Sequence, residues 1–178
     1  MKRDILQVFG TNLIRMIVAL FATFFLPAIL DVDSYGYVKL YQLYVSYIGL
    51  MHLGYCDGIY LKYGGLEYDE NRKILNYNLQ TMKVFQFVIS ITVIVIGILK
   101  RDFIVLVWGA TIFPRNVRTF YEYSYQATGK FKEYTKIVNG YSFITILFYI
   151  IIIFVFQVKE YKLYILGFCV VDILTLLL

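Results

Sequence analysis

Residues 144–156 read Ile144-Thr145-Ile146-Leu147-Phe148-Tyr149-Ile150-Ile151-Ile152-Ile153-Phe154-Val155-Phe156, without a charged side chain. Extended back to Val138, the run approaches the about 20 residues that a helix needs to cross the hydrocarbon of a bilayer. Five further runs meet or approach the same length. They cover residues 8–30, 38–61, 81–99, 103–126 and 163–178. The expected fold is therefore an all-α integral membrane protein with about six transmembrane helices, in a single transmembrane domain. Lys2 and Arg3 ahead of the first run give it some of the look of a secretion signal. Its length and the lack of a small-x-small ending make it a retained helix instead.

Composition points the same way. Of 178 residues, 60% are hydrophobic and 16% charged, against about 25% charged in an ordinary soluble domain. For the whole chain to be soluble, every apolar run would have to be a core helix, which so few charges cannot support. Eighteen Tyr and fifteen Phe suit a chain with two membrane–water boundaries to populate. The net charge of +5 comes without a basic stripe outside the apolar runs, so it does not indicate nucleic acid. The bases instead set orientation. With a cytoplasmic N-terminus, nine basic residues fall in inside segments and five in outside ones. The positive-inside rule then predicts a multi-pass protein with its N-terminus in the cytoplasm. Cys56 and Cys169 lie in apolar surroundings and read as small core residues.

Ionisable groups inside membrane helices are expensive, so their positions are informative. In the first run Arg15 shares a helix face with Thr11 and Asn12, continued by Ala19 and Ala22. The fourth run carries Pro114-Arg115-Asn116-Val117-Arg118-Thr119-Phe120-Tyr121-Glu122. Arg115, Arg118 and Glu122 are spaced i, i+3, i+7 and form one stripe. Arg115 lies about 18 Å along the helix from Phe103, too deep to reach headgroups easily. Arg118 and Glu122 can pair at i, i+4, and Pro114 frees a backbone carbonyl one turn back. These groups are candidates for a cationic cavity facing an anionic substrate. For Arg118 a purely structural pair with Glu122 is an equal reading, as is snorkelling to headgroups for Arg15. In the second run Ser46 and Gly49 suggest close helix packing. His52 and Asp57 complete the candidate residues, with packing and boundary pairing as their plainer roles. Asp172, in the sixth run, faces a cavity or pairs with Arg115 or Arg118. No phosphate-binding loop, metal-ligand spacing or nucleophile–base pair is present, so neither an enzyme, a metal nor a cofactor is expected.

Three segments carry a family resemblance. Tyr35-Gly36-Tyr37-Val38-Lys39-Leu40-Tyr41 follows the acidic turn at Asp31 and Asp33. Leu53-Gly54-Tyr55-Cys56-Asp57-Gly58-Ile59 precedes Lys62-Tyr63-Gly64, and Gln126-Ala127-Thr128-Gly129-Lys130-Phe131-Lys132-Glu133-Tyr134 comes later. In order and spacing, from about Asp4 to Tyr134, the set resembles polysaccharide flippases of the multidrug/oligosaccharidyl-lipid/polysaccharide exporter superfamily. The resemblance implies two helical lobes around a central cavity. It also implies movement of a lipid-linked anionic oligosaccharide across the bacterial inner membrane, with membrane lipids as surroundings. Arg15, Arg115 and Arg118 match the cationic lining this implies by residue type and depth. Such flippases have twelve to fourteen helices, so this chain resembles the N-terminal lobe, expected to work with a C-terminal lobe or another copy. The alternatives are a multidrug or small-molecule exporter of the same superfamily, and a non-transporting membrane module that binds a partner.

Overall fold

The computed structural model describes residues 2–177, with side chains from Leu6 onward. The described residues are all-helical, without a strand. The chain runs through α1 (Lys2–Ile29), α2 (Val32–Ser46), α3 (Tyr55–Tyr63), α4 (Tyr68–Lys100), α5 (Phe103–Ala127), α6 (Phe131–Ile150) and α7 (Tyr161–Leu174). A tight 3-10 segment, Ile48–His52, links α2 to α3, and a wide π turn, Ile151–Val155, closes α6.

Three stretches are long and apolar enough to cross a membrane: Leu6–Ile29, Tyr68–Lys100 and Phe131–Val155. The outer faces of α1 and α4 expose Met16, Leu20, Phe24, Val84, Phe87 and Val95, which is compatible with a surface solvated by lipid.

Six independent spans are not what length and apolarity support, for three local reasons. The continuous helix expected over 38–61 is broken. Leu53 and Gly54 take left-handed conformations at φ 50° and 76°, so α2 and α3 are separate pieces. The fifteen residues of α2 reach only about 22 Å. The run over 103–126 is one helix, α5, but its Arg115–Glu122 stripe lowers its apolar character. The run over 163–178 starts earlier, at Tyr161, and its helix has fourteen residues, while Leu178 lies outside the described residues.

Central to the architecture is α5, packed against α2, α3, α4, α6 and α7. Asp102 starts it by accepting the amides of Ile104 at 2.9 Å and Val105 at 3.1 Å, which supplies acceptors that the first turn lacks. Arg101, at φ 52°, reverses the chain so that α4 and α5 run antiparallel. Their seam is closed by glycines. A Cβ on Gly97 would sit 2.6 Å from the Leu106 amide nitrogen, and one on Gly109 2.8 Å from that of Ile94. Ser90 adds a hydroxyl bond to the Gly109 carbonyl at 2.6 Å. Close backbone approach through small residues is the usual packing device where lipid removes the hydrophobic drive between helices. The small-residue face expected at Ser46 and Gly49 does not play this part. Gly49 is exposed with no atom within 4 Å of a built Cβ, and Ser46 is exposed too.

The break after α2 is held by side chains from the α4–α5 pair. Gln86 donates to the Met51 carbonyl at 3.1 Å. Asn116 donates to the Ile48 carbonyl at 3.3 Å and to Gln86 at 2.7 Å. Buried non-helical backbone is tolerated when protein groups satisfy it in this way.

Candidate functional site

On the side of α5 away from α4, residues of five helices line a half-open cavity of about 610 Å³. Helix α1 contributes Arg15, Ala19 and Ala22; α2 contributes Lys39, Gln42 and Ser46; α5 contributes Arg115, Arg118 and Glu122. Opposite them stand Tyr141, Ser142, Thr145 and Tyr149 of α6 and Asp172 of α7. Four basic side chains thus share one chamber with two carboxylates.

The charges form a connected network rather than a row of free cations. Arg118 Nη1 donates to Asp172 Oδ1 at 2.8 Å, tying α5 to α7. Its Nε stands 3.3 Å from Glu122 Oε1, one turn along the same helix. The guanidinium also lies over the Tyr141 ring at 3.8 Å from the centroid. Arg15 reaches from α1 to the other oxygen of Glu122 at 2.8 Å. Glu122 is therefore shared between two arginines, and Asp172 between Arg118 and Arg115.

Within this network Arg115 is the loosest of the α5 charges. Its only carboxylate contact among the described residues is Asp172 Oδ2 at 3.5 Å, and its side chain keeps 30% of its exposure, against 7% for Arg118. A long, partly wet contact holds an arginine weakly, so Arg115 is the guanidinium most readily offered to a second anion. Arg118 is held by two carboxylates and a ring, and it belongs to the wall as much as to the cavity.

The arrangement brings together four of the residues singled out from sequence: Arg15, Arg115, Arg118 and Glu122. It leaves out two. His52 is buried in the 3-10 segment beyond α2, away from the chamber. Asp57 is exposed in the first turn of α3, also outside it. Asp172 takes both of the arginines that the sequence left open. Gln42, on the polar face that the sequence gives the second run, lines the chamber, while sequence reasoning missed Lys39 and the α6 lining. The α6 residues had a signal: Tyr141, Thr145 and Tyr149 recur every four positions in an otherwise apolar helix, which sets their polar atoms on one face.

The buried Cys56 and Cys169 lie in separate parts of the core, Cys56 with its sulfur 3.8 Å from that of Met82. Among the described residues, His, Cys, Asp and Glu form no cluster able to hold a metal ion.

Outside the three long apolar stretches, two charges are set by local partners. Asp31 caps α2 by accepting the Ser34 amide at 2.7 Å. That bond and one from the Ser34 hydroxyl hold its carboxyl below the usual range. Lys130 donates to Asp69 at 2.8 Å, and this hydrogen bond raises its pKa.

Comparison with known proteins gives no match: no family model, no curated protein and no solved structure is similar to the chain.

Proposed function

We propose that this chain is one lobe of a membrane transporter that carries a lipid-linked, anionic oligosaccharide across the bacterial inner membrane. In this reading the chain is multi-pass with a cytoplasmic N-terminus. Helices α2 with α3, α5 and α7 cross the membrane beside the three longer stretches. The observation that supports it is the chamber itself: about 610 Å³, bordered by four bases and two carboxylates, inside a bundle whose outside is apolar. Carrying so many charged groups within membrane helices is costly, and an anion-accepting chamber gives the excess of bases a use. Cationic drugs would be repelled by the same excess, which disfavours the exporter alternative. The long hydroxyl- and ring-bearing wall from Tyr141 to Tyr149 suits sugar, which presents hydroxyls at its edges and C–H faces to aromatic rings. A second lobe, or a second copy of the chain, completes the enclosure.

The test is binding and flipping of a polyprenyl-pyrophosphate oligosaccharide by the full chain in proteoliposomes. Arg115→Ala is expected to lower binding about ten-fold or more, the loss of one charge-assisted hydrogen bond. Arg115→Lys recovers part of it if charge alone matters. Binding untouched by Arg115→Ala, or a cationic dye bound in place of the glycolipid, sinks the reading.

A further inference from the structure

Behind the chamber lies a second, smaller cavity of about 280 Å³, and Arg118 lines both. The smaller one is bordered by Tyr121 and Tyr125 near the end of α5, by Glu133 and Lys136 at the start of α6, and by Thr175 after α7. We propose that it is a second anion subsite, taking a single phosphate group such as the headgroup of an anionic lipid. The inference goes beyond the transport reading and does not rest on it.

Three observations carry it. Arg118 is buried, with 6% of its surface exposed, and its Nε–H has no hydrogen-bond acceptor. Glu122 Oε1 stands 3.3 Å from that nitrogen, an ionic contact without the alignment of a hydrogen bond, so the buried N–H keeps capacity for a further acceptor. Lys136 supplies a second positive charge at the cavity rim, against the single carboxylate of Glu133. The cavity also combines bases with tyrosines at the ends of helices, the mix found where a membrane meets water and anionic headgroups collect. Its volume falls below the about 300–1,000 Å³ of ordinary ligand clefts, which suits one phosphate and excludes an oligosaccharide. Guanidinium and ammonium both suit phosphate, Arg118 through the N–H groups that Asp172 does not take and Lys136 as a point charge.

The experiment is native mass spectrometry of the full chain in neutral detergent, with phosphatidylglycerol or phosphatidylcholine added. Phosphatidylglycerol is expected to be retained over phosphatidylcholine about five-fold, the preference that one basic residue confers near an anionic surface. Lys136→Gln is expected to remove that preference; the residue is exposed, so folding is spared. Arg115→Gln, which touches only the larger cavity, is expected to leave it intact. Displacement of the lipid by inorganic phosphate, with the same Lys136 dependence, upholds the subsite and assigns it to the free anion. Retention despite phosphate upholds it and assigns it to the lipid. Equal retention of the two lipids, indifference to Lys136→Gln, or loss on Arg115→Gln overturns it.

Discussion

The two faces of α5 are built on opposite principles. Toward α4 the helix presents Gly109, and the partner strips its own side to Gly97 and Ser90, so that backbones meet with no room for a methyl group. Toward α1, α2, α6 and α7 it presents Arg115, Arg118 and Glu122 around open space. One seam gains stability by excluding everything. The other holds charges that need either one another or a ligand. The contrast teaches that a single helix can anchor a bundle and line its chamber, provided its small and charged residues fall on different stripes.

The sharpest way to break this contrast is to remove a carboxylate from the open face. Asp172→Leu leaves the buried Arg118 without its closest partner and is expected to destabilise the protein by about 3 kcal/mol. The double variant Arg118→Met with Asp172→Leu should regain most of that loss. Unfolding in mixed detergent micelles measures both; a single variant as stable as the wild type would mean that the charged wall holds nothing together.

Gly109→Ala tests the closed face. The added carbon meets backbone rather than a movable side chain, so a loss of about 1–3 kcal/mol is expected in the same assay. Gly58→Ala, in α3 where a Cβ has open space, should be neutral or gain up to about 1 kcal/mol. Equal effects at the two glycines would erase the distinction between seam and surface.

Smaller still is the expected cost of Arg115→Gln. Its 3.5 Å contact and partial exposure predict a stability change within about 1 kcal/mol. A larger loss in the micelle assay would make Arg115 a strut like Arg118.

The smallest effect lies outside both faces. Asp31 has its pKa held down by Ser34, so its contribution to the start of α2 is present above the ordinary carboxylate range. It is lost as pH falls through the lowered folded value. Exchange of the Ser34 amide should therefore gain an acid-side acceleration that Asp31→Asn abolishes. A Ser34 profile identical in both proteins would remove Asp31 as a cap.

Legibility in the sequence followed locality. The apolar runs were visible because hydropathy is a property of neighbours along the chain, and the three long stretches contain the cores of runs 8–30, 81–99 and 138–156; the second and third begin earlier, at Tyr68 and Phe131, because their more polar first turns continue the same helices. The Arg118–Glu122 pair was visible for the same reason, since four residues on a helix make a contact. The partner of Arg15 was not, and Asp172 could be named for Arg115 or Arg118 but not assigned, because these partners come from other helices and no spacing rule connects α1 or α7 to α5. The break at Leu53-Gly54 was hidden inside a run of acceptable hydropathy; only the polar anchors Gln86 and Asn116, far along the chain, make it tolerable. Gly97 and Gly109 looked no different from Gly49, because what makes a glycine necessary is the backbone on the other side.

Arg118 and Asp172 are 54 positions apart, and that separation bears on how the protein is made. Synthesis proceeds from the N-terminus, so the guanidinium emerges from the ribosome well before its main counter-charge exists. In the meantime Glu122, on the same helix, and Arg15, already emplaced, form the only early electrostatic company α5 has within this network. The fifth helix is thus a provisional guest in the bundle, and its final seating waits on the arrival of the seventh.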